Sequence, residues 1–182
     1  MIGTQTFTFG PRPVSVLLHP NAIPVADIFR CISGFQDQYD LALLNGPEED
    51  LGRLTRPDCA KAIISDALLL AFALDRQRTR PLCHAPLKSR RASTDEYCLM
   101  TLIGASRTRD SELAYEASTV LGVASLDLVS SLASDLVSQI DAGGLVFMTP
   151  DINEFRALVG DSVLFEDDPE VGFEHSEMKF RF

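Results

Sequence analysis

Eight consecutive apolar residues, Ala67 to Leu74, constrain this chain more than any other feature. They close a segment that opens at Thr55-Arg56-Pro57-Asp58, a helix start with Thr55 as cap, Pro57 in the first turn and Asp58 as the acid of a capping box. A helix that is apolar most of the way round must be buried on several sides. This one is too short and too interrupted to span a bilayer. The reading is therefore a buried central helix over 57–75. Alanine at Leu69 or Leu70 is predicted to cost about 2–5 kcal/mol, as for a core leucine.

The other segments are read around that centre. Thr4–Phe9 and Val14–Leu18 alternate or cluster β-favouring residues and are strand candidates, with Gly10-Pro-Arg-Pro13 as a turn between them. Pro24–Leu44 is predicted as the first helix, with Val25, Ile28, Phe29, Ile32, Phe35, Tyr39 and Leu43 on one face. Asn45-Gly-Pro47 stops it, and Glu48-Glu-Asp50 opens an acidic connector. Ser93-Thr-Asp-Glu96 is a second capping box, starting a helix that runs to about Ser106. Further helices are read over Ser111–Leu121, ended by Gly122, and over Ser125–Ile140, ended by Gly143-Gly144. The stripe Leu126, Val129, Leu132, Ala133, Leu136, Val137 and Ile140 is assigned to the core, since a dimer seam needs more heptads. Leu145–Met148 reads as a short strand or connector, and a last helix ends at Gly160, with Thr149 as cap and Pro150 in first position. Met178–Phe182 alternates like a strand and is paired with Thr4–Phe9 in one small sheet. The fold class is thus mainly α (α+β). Five or six helices form a bundle around a buried central helix, and residues 1–182 make a single domain.

Charge supplies the only pronounced chemical character. Residues 76–91 hold six of the sixteen basic residues and no acid. The remaining ten bases and all 26 acids leave the body at −16. Pro81 and Pro86 keep the basic segment non-helical. A cationic loop on an acidic body calls for a partner, and Arg76, Arg78, Arg80, His84, Lys88, Arg90 and Arg91 are its candidate contact residues. The net charge of −10 argues against a nucleic-acid binder, because phosphate neutralisation needs a basic face. The acidic stretch 161–177, with seven acids and no base, is the expected match for the loop, in the same subunit or a neighbour.

No motif with a strong catalytic mechanism is present: no phosphate loop, GxSxG, HExxH or EF-hand loop. Cys83-His84 is the nearest approach to a reactive pair, since neighbouring arginines favour a thiolate, but no third group is identifiable. The four cysteines form no CxxC pair and the three histidines lie far apart, so neither a disulfide framework nor a metal site is expected. Arg90-Arg91-Ala92-Ser93 has the pattern of a basophilic kinase site, although Ser93 already serves as a helix cap. No signal peptide, lipidation box or membrane span is read, and the cytoplasm is the expected compartment. The balance leans away from an enzyme. It favours a cytoplasmic interaction or regulatory protein with no cofactor, whose basic loop contacts another protein or a second copy of this chain. The alternative is an enzyme or sensor that holds a small anionic ligand through the arginines of that loop.

Overall fold

The computed structural model describes residues 16–38 and 41–163. Seven α-helices are present among them, with one small antiparallel sheet. β1 is Val16–Leu17, α1 Ile23–Gln38, α2 Asn45–Leu54, α3 Pro57–Gln77, β2 Arg91–Ala92, α4 Thr94–Thr108, α5 Ser111–Leu121, α6 Leu126–Ala142 and α7 Ile152–Val163. The class is the mainly helical one expected. The sheet pairs Val16 with Ala92 and Leu17 with Arg91. The Thr4–Phe9 and Met178–Phe182 segments lie outside the described residues.

The bundle has two central helices. α3 packs on α6, α2 and α1, while α4 packs on α5 and α6. In α3 the apolar run is only partly inside: Leu70 and Leu74 are fully buried, whereas Leu69 is 52% and Phe72 39% exposed. The large cost predicted for alanine therefore applies to Leu70 and not to Leu69. α4 is the more completely enclosed, with every residue from Asp95 to Ala105 buried. It gains this position against its own composition, since two of those residues are acids.

Local signals explain most of the boundaries. The Ser93 hydroxyl accepts the Glu96 N–H at 3.1 Å and the Glu96 carboxylate accepts the Ser93 N–H at 2.9 Å, completing the expected capping box. The α6 stripe turns inward as predicted, with Val129, Ala133, Leu136, Val137 and Ile140 buried and Leu126 and Leu132 packed against the core. On α1, Val25, Ile28, Phe29 and Ile32 are buried. Three local readings are corrected. Asn45-Gly-Pro47, read as a helix stop, begins α2, and Glu48-Glu-Asp50 lies within that helix instead of a connector, because a proline in the first turn has no intrahelical N–H to lose. Thr55 closes α2, donating its hydroxyl to the Leu51 carbonyl at 2.9 Å, and Arg56 occupies the cap of α3 without a side-chain capping bond. Asp151, not Thr149, caps α7, accepting from the Asn153 and Glu154 N–H groups at 2.8 and 2.9 Å. Thr149 instead presses on α4 at Gly104, where a Cβ would collide with its side chain. Between α6 and α7 the chain is irregular, with Leu145 and Phe147 buried and Val146 and Met148 exposed. Among the described residues, no single helix is long and apolar enough to cross a membrane.

Candidate functional site

The basic segment leaves the end of α3 and returns as β2, and three buried carboxylates hold its backbone. Asp27 on α1 accepts the Lys88 N–H at 3.0 Å; Asp95 and Glu96 in the first turn of α4 accept the Cys83 and Ala85 N–H groups at 2.9 and 3.0 Å. All three acids are less than a tenth exposed. The Ser93 hydroxyl donates to the Cys83 carbonyl at 2.6 Å, so the cap of α4 also ties down the loop. A segment with two prolines cannot satisfy its polar groups by helix formation. Here the carboxylates substitute for the missing ladder.

Two buried arginines balance those acids. Arg30 on α1 donates through Nε to Glu96 at 2.7 Å and through Nη1 to Asp27 at 2.9 Å, and reaches the Ser89 and Arg91 carbonyls at 3.1 and 3.2 Å. One guanidinium thus joins α1, α4 and the loop. Arg78 donates to Asp95 at 2.8 Å, to the Arg80 carbonyl at 3.2 Å and to the Leu121 carbonyl at the end of α5. Burial alone would favour the neutral carboxylic acid at Glu96. His84, Arg30 and the Ser93 N–H outweigh it and hold the Glu96 carboxyl at about 2. Burial likewise opposes the charge on Arg30, and Glu96 and Asp27 overcome it, so its pKa is raised.

The seven candidate contact residues divide into two groups. Arg78 is buried in the ion pair with Asp95. His84 is largely buried, with Nδ1 3.5 Å from the Glu96 carboxylate: close enough for an ion pair when protonated, but not aligned as a hydrogen bond. Arg76, Arg80, Lys88, Arg90 and Arg91 stay on the surface. Arg80 keeps a 3.7 Å contact to Asp95, and Lys88 lies 3.5 Å from Asp50 of α2. Lys88 has φ of 61°, a left-handed conformation costly for a residue with a Cβ. Its N–H bond to Asp27 holds it there. Acids of the chain do match the loop, but those seen are Asp27, Asp50, Asp95 and Glu96; the stretch 164–177 lies outside the described residues.

Cys83 is exposed and its backbone, not its thiol, is engaged. Cys31, Cys59 and Cys98 are buried, and burial pushes the Cys98 thiol up to about 12. Among the described residues, no three His, Cys, Asp or Glu side chains are grouped to hold a metal ion. Sequence reasoning missed Asp27, Arg30 and Asp95, and saw Glu96 only as a cap. A signal existed. Asp27 and Arg30 interrupt Val25-Ala26 and Ile28-Phe29, a stretch otherwise apolar all round, and charges set in such a stretch need buried partners. Comparison with family models, with curated proteins and with solved structures returned no match.

Proposed function

We propose that this chain is a non-enzymatic interaction or regulatory protein whose contact surface is the outer face of the 76–91 loop. The carrying observation is the inner lattice: loop N–H groups of Cys83, Ala85 and Lys88 are fixed by Asp95, Glu96 and Asp27. A backbone held in that way presents Arg76, Arg80, Lys88, Arg90 and Arg91 with little ordering left to lose on binding. The complementary partner is an acidic protein surface or the acidic body of a second copy. A polyanionic nucleic acid would face the −16 charge of the remaining body. Four unpaired cysteines, one of them exposed, suit the reducing cytoplasm.

The reading as a small-anion sensor has less support. The cavity lined by Arg78, Arg80 and His84 has a volume of about 30 Å³. That is room for little more than one water. Asp75 also lines it and disfavours an anion.

The test compares the native chain with a variant carrying glutamine at Arg76, Arg80, Lys88, Arg90 and Arg91. Capture of acidic partners and self-association, by pull-down and sedimentation velocity, should both weaken in the variant and at high salt. Equal association by the two proteins at low salt would refute the loop as contact surface.

A further inference from the structure

A second concavity lies between the β1–β2 ribbon, α4 and the segment leading into α7. Its volume is about 360 Å³. Small-ligand pockets run from about 300 to 1,000 Å³. Leu18, Met100, Phe147 and Pro150 supply apolar wall, and Leu17 and Met148 stand at its edge, 66% and 83% exposed. Two further lining residues, Tyr97 and Thr101, lie one turn apart on α4. They are 7% and 1% exposed, and neither hydroxyl has a hydrogen-bond partner among the described residues. Both hydroxyl oxygens are enclosed, so the wall offers a ligand mainly apolar surface, and the flanking charges decide what the groove takes.

The charges on the walls restrict that ligand. Arg90 enters from the ribbon side and Glu154 from the α7 side. Neither is in an ion pair among the described residues. His19, also on the wall, is engaged through Nδ1 by the Asn21 N–H at 3.3 Å. The Tyr97 hydroxyl is pushed up to about 12, by burial first and then by Glu154, so it stays protonated and the α7 side is locally negative. We propose that this groove binds a short apolar peptide with free ends: its ammonium group towards Glu154 and its carboxylate towards Arg90. The apolar side chains cover the wall and the exposed Leu17 and Met148. The inference does not rest on the reading of the basic loop. Arg90 is the only residue they share, and Glu154→Gln tests the groove with the loop intact.

The probe is the dipeptide Leu-Leu, titrated into the full chain and followed by amide chemical shifts. Shifts should cluster at Tyr97, Thr101, Phe147 and Met148. N-acetylation of the dipeptide should weaken binding about two- to fivefold, as loss of one exposed ion pair does. That penalty should vanish in Glu154→Gln. C-amidation should do the same, with its penalty vanishing in Arg90→Gln. Absence of shifts at millimolar dipeptide would overturn the proposal. So would indifference to both end modifications, or a dimer that forms through the groove and excludes the dipeptide.

Discussion

The inner and outer faces of the 76–91 loop carry the same ion-pair chemistry in opposite settings. Inside, the Arg30 and Glu96 side chains are each 2% exposed and 2.7 Å apart, with the Ala85 and Ser93 amides completing the carboxylate's bonds. Outside, Lys88 is 77% exposed and 3.5 Å from Asp50. Water screens the outer pair, and an exposed pair contributes about 0–1 kcal/mol. The inner acids have been removed from water, so their partners are obligatory: breaking such a pair costs about 3–5 kcal/mol. The difference teaches that the loop's charge has two settings. Arg78 is spent on holding the loop and His84 lies beside Glu96, while the outward cations stay in water.

The largest effect should come from Glu96. Glu96→Ala removes two of the Arg30 guanidinium's bonds and leaves the Ala85 and Ser93 N–H groups without their acceptor, and should cost about 3–5 kcal/mol in urea unfolding. A loss under about 1 kcal/mol would mean that the inner network behaves like a surface pair.

Acid should reproduce much of that loss. The Glu96 carboxyl falls from 4.5 to about 2 on folding. A depressed carboxyl stabilises the fold above the unfolded value and loses that contribution as pH falls through the folded one. About 3 kcal/mol should therefore disappear between pH 4.5 and 2. Stability-versus-pH curves for the native chain and Glu96→Ala should converge over that window, and parallel curves would exclude Glu96 as the source.

Ser93→Ala removes the bond to the Glu96 N–H and the bond to the Cys83 carbonyl. The expected cost is about 1–2 kcal/mol, the upper range for a helix cap. Faster amide exchange should appear at residues 83–89 as well as in α4. Exchange confined to α4 would separate the cap from the loop.

The smallest effects belong to Lys88. Lys88→Ala should change stability by no more than about 1 kcal/mol. Lys88→Gly should be more stable than Lys88→Ala by about 1 kcal/mol, because glycine removes the Cβ penalty of the left-handed backbone. Equal thermal midpoints for the two variants would show that the conformation is not strained.

The helices were largely legible because their signals are local. α5 runs over Ser111–Leu121 as read, and α4 begins after the capping serine that four consecutive residues announce. The α6 stripe identifies its inner face without reference to any neighbour. The site was less legible because its bonds join distant residues. Arg30 and Glu96 are 66 positions apart, and Arg78 reaches a carbonyl 43 positions away. From sequence, Arg78 and Arg80 look alike; only the packing of α5 and α4 makes one a buried strut and leaves the other in water.

The sequence by itself determined that the chain is helical, which face of α6 turns inward, and that the basic segment beyond Gln77 is not helix. Periodicity, caps and prolines act over one or two turns and leave their record in consecutive residues. Tertiary structure alone decided that α4 is more enclosed than the more apolar α3, and that Leu69 faces outward. It also decided which cations the acids Asp27, Asp95 and Glu96 would claim. Burial of a charge is favourable only when partners from other elements converge on it, and that convergence is a property of the packed bundle.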